Sequence, residues 1–218
     1  MATACRVKLC AWASDMRLLY LASQSPRRCE LLAQIGIAHQ VLSLHHPGVA
    51  DFSVDETPHP GETPEAYVQR VCLEKARAGL AMRAARQLPD APVLAADTSV
   101  ILDGEILGKP DDDAHAAAML RRLSGREHQV MTAIAVGYQD QLLLALSTSR
   151  VTFATLDDAA IAAYLASGEQ RDKAGSYGIQ GRAAAFITRL DGSYSGVMGL
   201  PLYETAALLR QIGWVAAL

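Results

Sequence analysis

The apolar positions of the chain fall into two patterns: continuous short runs, typical of buried strands, and spacings of three and four residues, typical of amphipathic helices. The runs predict strands at 17–21, 39–44, 92–102, 105–107, 129–138, 142–153 and 184–190. The helical spacings predict helices at 26–35, 64–87, 114–123, 157–168 and 201–212. The first strand and helix form a βα unit, and the two long runs on either side of Gln139-Asp140 are expected to pair as antiparallel strands.

Three segments between these elements show neither pattern. Residues 51–62 are polar and contain two prolines, which predicts an ordered loop. Residues 172–181 carry three glycines and predict a loop whose backbone can approach a ligand closely, with a tight structural connection as the alternative. Residues 193–199 are also expected to form a loop.

The turn from the first strand into the first helix has the composition of an anion site. Ser25 can cap the helix and Pro26 suits its first position. Arg27 and Arg28 then fall in the first turn, where the positive end of the helix dipole disfavours further cations unless an anion joins them. Serine hydroxyls, free amides and two guanidiniums would together bind phosphate. The alternative is a solvated helix start with two surface arginines.

Two further charged residues stand where apolar ones are expected, and a third lies at the mouth of a hairpin. Lys75 lies on the apolar stripe of the second helix, and Asp97 interrupts the buried run 92–102. Lys109 follows the hairpin that this run begins. The alternatives are that Lys75 packs its stem and extends its ammonium to water, and that Asp97 has only a structural role. The functional interpretation is a charged cleft. The run 111–113, three aspartates, is explained by capping of the next helix rather than by metal binding.

Composition limits the kind of protein and ligand. The 218 residues are 50% hydrophobic and 20% charged, which suits a soluble globular protein with a full core. The formal net charge of -3 argues against a general nucleic-acid binder, so an anionic ligand should be small. The four cysteines lack C-x-x-C spacing and indicate a reducing cytoplasm. No apolar run is long enough to span a membrane. Residues 1–15 are weakly patterned, so we expect Met16 to be the native start and 16–218 to form a single domain.

Six charged residues together suit the binding of a polyphosphate. The cations are Arg27, Arg28, Lys75 and Lys109, and the carboxylates are Glu56 and Asp97. Lysine and arginine neutralise phosphoryl charge, and carboxylates hold Mg²⁺ or Mn²⁺. An aspartate can also deprotonate an attacking water. The sequences typical of P-loop proteins, kinases, serine hydrolases and zinc proteases are absent.

An ordered series of motifs resembles the Maf-like nucleotide pyrophosphatases. Residues 23–32 read SQSPRRCELL, similar to the family's S-x-S-P-R-R-x-x-L-L sequence. Further matches, in the family's order, are Asp55-Glu56, Glu74-Lys75-Ala76, Ala96-Asp97-Thr98, Lys109-Pro110, Leu123-Ser124-Gly125, the loop 172–181, Gly199-Leu200-Pro201-Leu202 and Glu204-Thr205. They cover nearly everything after Met16.

The resemblance implies a fold, a reaction and roles for individual residues. The fold would be a two-lobed α/β fold, similar to that of inosine triphosphatases, with a long mixed sheet, flanking helices and a central substrate cleft. The reaction would be hydrolysis of a nucleoside triphosphate to the monophosphate and pyrophosphate, with a divalent metal ion and a homodimeric enzyme. The catalytic residues would be Asp97, Lys75 and Lys109, the substrate-binding residues Ser23, Arg27, Arg28, Thr98 and Gln180, and the metal ligands Asp97 and Glu56.

The loop sequence Tyr177-Gly178-Ile179-Gln180-Gly181 is similar to the branch of the family that acts on dTTP and UTP. A glutamine amide offers an acceptor and donors that match the N3–H and O4 edge of uracil or thymine. By the resemblance, Arg27, Thr98 and Gln180 would tune specificity. Two alternatives stay open: a regulator of cell division that acts by binding, and the same chemistry on 7-methyl-GTP or inosine triphosphate.

Overall fold

A seven-stranded mixed sheet forms the centre of the molecule. The computed structural model describes residues 18–214; the predicted extension 1–15 and the predicted start at Met16 lie outside them. The strands are Leu19–Leu21 (β1), His39–Val41 (β2), Val93–Leu102 (β3), Glu105–Leu107 (β4), Glu127–Tyr138 (β5), Gln141–Phe153 (β6) and Ile187–Asp191 (β7). The helices are Pro26–Gln34 (α1), Pro64–Ala85 (α2), Asp113–Leu123 (α3), Asp158–Leu165 (α4), Tyr194–Met198 (α5) and Leu202–Gln211 (α6).

The sheet has the order β2-β1-β3-β5-β6-β7, with β4 on the same side of β3 as β1. β1 is parallel to β2 and β3, and the remaining pairs are antiparallel. The predicted βα unit and the predicted antiparallel pair β5–β6 are therefore confirmed. The α/β class and the mixed sheet flanked by helices are confirmed as well.

The alternation of side chains in β1 shows that both faces of the sheet are covered. Tyr20 packs into a cluster with the buried face of α2, whereas Leu19 and Leu21 pack into a second cluster with α1 and α6. A third cluster joins the far ends of β3, β5 and β6 to α3 and α4. The sheet is therefore covered on both faces around β1, and its far end packs in a separate core with α3 and α4.

Local signals explain most helix boundaries. Thr63, Asp112 and Asp157 cap α2, α3 and α4 by accepting backbone N–H groups three residues on. Ser25 occupies the cap position of α1, but its side chain makes no capping hydrogen bond, so only the position was predicted correctly. Gly36 has φ 73°, the left-handed conformation predicted after α1.

In the last third of the chain, one predicted strand starts too early and one predicted loop contains a helix. The predicted strand 184–190 is a 3₁₀ helix at Arg182–Phe186 followed by β7, because the strand begins only at the β-branched Ile187. The predicted loop 193–199 contains α5, which Ser193 caps through its hydroxyl. A helix of five residues with a central glycine has too few apolar positions to show a period.

Among the helices between residues 18 and 214, none combines the length and apolar content needed to cross a membrane. Cys29 and Cys72, the two cysteines in that range, are both free thiols.

Candidate active site

A gap in the sheet places Asp97 at the edge of a cleft. On one side of β3, the pairing with β1 reaches only Leu94, and the pairing with β4 starts only at Val100. The middle of β3 therefore has no neighbouring strand on that side. β1 leads directly into the turn with Arg27 and Arg28, and β4 leads into Lys109. The topology thus brings the cationic segments to the two ends of the gap and leaves Asp97 between them.

Lys75 binds both predicted carboxylates. Its Nζ lies 2.7 Å from Asp97 Oδ1 and 2.7 Å from Glu56 Oε1. The side chains of Lys75 and Asp97 are 15% and 10% exposed, whereas that of Glu56 is 46% exposed. Partial burial raises the pKa of Glu56, but the opposite effect of Lys75 is larger. The pKa of Glu56 therefore lies below its ordinary value. The lysine on the apolar stripe of α2 is therefore an ion-pair residue directed into the cleft, not a snorkelling one.

Arg28 joins three parts of the cleft wall. Its Nη1 donates to Ser23 Oγ at 2.9 Å, its Nη2 to Thr98 Oγ1 at 3.2 Å and its Nε to the carbonyl of Gly199 at 2.8 Å. Burial lowers the pKa of this guanidinium, and Asp97 opposes that shift. Arg28 is thus a fixed positive charge held in one orientation by its fork of donors.

Thr98 is part of a row of hydroxyls across the sheet. Thr98 pairs with Thr132 in register, and their Oγ1 atoms are 3.0 Å apart. Thr132 donates its single proton to the carbonyl of Gly196 at 2.8 Å, so Thr98 must be the donor between the two threonines. The predicted substrate-binding residue Thr98 therefore orients Arg28 and is anchored, through Thr132, to α5.

The loop 172–181 is attached to the sheet by buried groups. The amide of Gly175 donates to the carbonyl of Gly108 at 3.0 Å, and a Cβ at this left-handed position would lie 2.9 Å from Val100. Tyr177 forms a 2.7 Å hydrogen bond with His128 Nε2. Burial lowers the pKa of His128 to about 4 and raises that of Tyr177. The glycine-rich sequence thus permits close packing of the loop that carries Gln180.

Lys173 is a cleft cation that the sequence analysis did not single out. Its Nζ donates to the carbonyl of Glu169, and it forms no ion pair with a carboxylate within residues 18–214. Burial and the nearby Arg27 both lower the pKa of this lysine. Two cations therefore repel each other between α1 and the loop 172–181. In the sequence, only the position of Lys173 in the glycine-rich loop 172–181 indicates that it could meet a ligand.

All nine predicted site residues line one cleft of about 1010 Å³, a volume that suits a nucleotide-sized ligand. The lining carries six cationic side chains, Arg27, Arg28, Lys75, Lys109, Arg171 and Lys173. It carries three carboxylates, Glu56, Asp97 and Asp172. The excess of positive charge favours a polyanion, although the net charge of the whole chain is -3.

Metal coordination by protein alone has little support in the described part of the chain. No group of three or more histidine, cysteine, aspartate or glutamate side chains suitable for a metal ion occurs there. Asp97 and Glu56 do share one cation, the Lys75 ammonium. Two carboxylates suit Mg²⁺ or Mn²⁺ only when substrate phosphates complete the ligand set, which is how Mg²⁺ commonly binds. Of the aspartates 111–113, Asp112 caps α3 and Asp113 lies in its first turn, and none of the three lines the cleft.

The comparisons with known proteins agree with this geometry. A protein named dTTP/UTP pyrophosphatase from Cupriavidus pinatubonensis is 58% identical over 193 residues, covering 88% of this chain and 96% of that protein. One of the same name from Ralstonia nicotianae is 59% identical, covering 88% and 93%. The Staphylococcus aureus Ham1 structure aligns with 63% of this chain and 72% of its own at 22% identity and a TM-score of 0.43, too low to support an argument. The family model described as Maf-like protein matches residues 18–212, so this chain belongs to the Maf-like family.

Proposed function

We propose that this chain is a nucleoside triphosphate pyrophosphatase that hydrolyses dTTP and UTP to the monophosphate and pyrophosphate, in a house-cleaning role. The observation that carries the proposal is the position of Asp97, fixed by Lys75 in a gap of the sheet with cationic segments at both ends. The relatives named dTTP/UTP pyrophosphatase, 53–59% identical to this chain, support the choice of substrate. The alternatives, a binding role in cell division and action on 7-methyl-GTP or inosine triphosphate, have no comparable support.

Asp97 would act as the base. Lys75 binds Oδ1, which leaves Oδ2 to take a proton from the attacking water. The water oxygen forms a bond to the α-phosphorus, and the bond from that phosphorus to the α–β bridging oxygen breaks. The products are a nucleoside monophosphate, pyrophosphate and one proton, which Asp97 releases to solvent.

The cations would stabilise charge during this step. Arg28 cannot turn freely, because its fork is bonded to Ser23, Thr98 and Gly199, so its remaining N–H groups present a preorganised charge to a phosphate. Lys109 is exposed and can follow the departing pyrophosphate. Arg27 and Lys173, which repel each other, would both be relieved by a bound polyphosphate.

A divalent cation fits the site if Asp97 and Glu56 hold it together with substrate phosphates. When bound, such an ion would neutralise phosphate charge and polarise the reacting phosphoryl group. Lys75, which lies between the two carboxylates, would then keep its contact with one of them or turn to a phosphate. We expect turnover to stop when a chelator removes Mg²⁺ and Mn²⁺, and to return when either is added.

Gln180 would select the base. Its side chain is exposed in the cleft on a loop anchored by Tyr177, so the amide is free to meet the edge of uracil or thymine. A site that hydrogen-bonds one donor–acceptor pattern rejects the reverse pattern of cytosine. The homodimer, the cytoplasmic location and the absence of nucleic-acid binding remain proposals, supported by the family resemblance, the free cysteines and the negative net charge.

The test is a panel of triphosphates assayed for pyrophosphate release. We expect dTTP and UTP to exceed dCTP, CTP, ITP and 7-methyl-GTP by at least about 10-fold in kcat/KM. Gln180→Ala should reduce the UTP-to-CTP ratio without abolishing turnover. A purine triphosphate as the preferred substrate would overturn the assignment of the base.

A further inference from the structure

Glu56 lies in a segment without regular structure, yet its carboxylate meets a specific partner. The 22 residues between β2 and α2, 42–63, contain neither helix nor strand. Glu56 nevertheless places Oε1 2.7 Å from Lys75 Nζ. A side chain in such a loop keeps one position only when other groups hold the backbone, because an unrestrained backbone gains conformational entropy.

Tyr67 holds the backbone of Glu56 itself. The Tyr67 hydroxyl donates to the carbonyl of Glu56 at 2.8 Å. Tyr67 is 8% exposed and packs in the apolar cluster between α2 and the sheet, which fixes the position of the hydroxyl.

Arg70 holds the residues on either side of Glu56. Its Nη1 donates to the carbonyl of Asp55 at 3.4 Å and its Nη2 to the carbonyl of Thr57 at 3.1 Å. The same guanidinium forms a two-point pair with Glu62, Nε to Oε1 at 2.7 Å and Nη2 to Oε2 at 2.9 Å. This pair lowers the pKa of Glu62 to about 2. The carbonyls of three consecutive residues are therefore bound by two side chains of α2.

We propose that Tyr67 and Arg70 are positioning residues that hold Glu56 in register with Lys75 and Asp97. This inference rests on the proposed role of Glu56 at the site. One helix, α2, supplies the groups that fix the backbone of Glu56 and the lysine that receives its carboxylate, so the position of the Glu56 carboxylate relative to Lys75 is set by a single rigid element. Neither Tyr67 nor Arg70 needs to contact the reacting atoms.

The experiment compares Tyr67→Phe and Arg70→Lys, each alone and combined with Glu56→Gln. Tyr67→Phe removes one hydroxyl and keeps the ring, and Arg70→Lys keeps the charge and loses the fork. We expect each single variant to lower kcat for UTP by about 10-fold, the scale of a misplaced catalytic group. On the Glu56→Gln background we expect each change to cost less than about 2-fold, since the group being positioned is gone.

A second readout does not depend on turnover. In the free protein, hydrogen exchange of backbone amides in 51–62 should become at least about 10-fold faster in both variants, while exchange in β3 stays unchanged. Matched controls are Tyr203→Phe, at a side chain that is 77% exposed, and Arg77→Lys, at an exposed position of the same helix. Neither control should change exchange or kcat.

The outcomes separate the two proposals. If Glu56→Gln leaves kcat unchanged, the role of Glu56 in the reaction is wrong, and the exchange measurement still decides whether Tyr67 and Arg70 hold the loop. Unchanged exchange in 51–62 overturns the positioning role. So does a loss of kcat in Tyr67→Phe and Arg70→Lys that is equally large with and without Glu56→Gln.

Discussion

Lys75 Nζ lies 2.7 Å from Asp97 Oδ1, and this ion pair joins the long helix α2 to the middle of β3, where the strand lacks a neighbour. An aspartate whose side chain is only 10% exposed needs a compensating charge, and the ammonium supplies it. The same pair orients the carboxylate, because only one of its oxygens is engaged by the lysine. Under the proposed mechanism, this one contact would both compensate the buried charge and orient the base.

Replacement of Lys75 by glutamine should abolish most activity. Lys75→Gln removes the ammonium that lies between Asp97 and Glu56 and removes a charge from the cleft. We expect kcat for UTP to fall by at least about 100-fold, measured by pyrophosphate release. Arg77→Gln, which also removes one positive charge from α2 but at an exposed position, is the control and should retain full activity. Turnover above half of the parent value in Lys75→Gln would show that the ion pair is not needed for the reaction.

The two arginines of the first turn should respond differently to lysine. Arg28→Lys keeps the charge but loses most of the fork bonded to Ser23, Thr98 and Gly199. We expect a loss of about 2 kcal/mol in unfolding free energy and a Tm lower by about 4–8 °C. Arg27 forms no side-chain hydrogen bond or ion pair within residues 18–214, so Arg27→Lys should shift Tm by less than about 1 °C. Equal shifts in scanning calorimetry would contradict the assignment of Arg28 as the structural one of the pair.

The buried His128 should make stability depend on pH. Its pKa is about 4 in the fold, below the value of 6.5 expected in the unfolded chain, so the unfolded state binds the proton first as pH falls. Stability from this group is complete above pH 6.5 and is lost as pH falls toward 4. Between pH 7 and pH 5 the loss should be about 2 kcal/mol.

The check compares the pH dependence of Tm in the parent and in His128→Gln. Contributions from the other histidines are common to both proteins and cancel in the difference. The decrease in Tm from pH 7 to pH 5 should be smaller by about 4–8 °C in the variant. An equal decrease in both proteins would show that His128 does not titrate as described.

The sequence predicts which residues line the cleft, but not the strand pairing that brings them together. Lys75 and Asp97 are visible because each is a charge in an apolar pattern, and both lie in the cleft with the other seven predicted residues. The gap beside Asp97 is not visible, because it depends on how far β1 and β4 extend along β3. Strand pairing between distant segments leaves no periodic signal in any one of them.

The residues that the sequence analysis missed act through contacts distant in the chain. Tyr67 and Arg70 look like ordinary positions of an amphipathic helix, and their hydrogen bonds to the loop with Glu56 appear only when that loop packs against α2. The short helix α5 was missed for a related reason. It is held by Ser193 at its start and by Thr132 from the sheet, rather than by an apolar period of its own.

The most direct test of the central claim is the fate of water oxygen during hydrolysis of UTP. The protein is incubated with UTP in ¹⁸O-water, and the products are identified by ³¹P NMR and mass spectrometry, in parallel with Asp97→Asn. We expect UMP carrying the label together with unlabelled pyrophosphate, and a rate about 1000-fold lower in a folded Asp97→Asn variant. Label in pyrophosphate, release of orthophosphate with UDP, or near-normal turnover by Asp97→Asn would contradict attack at the α-phosphorus by a water that Asp97 activates.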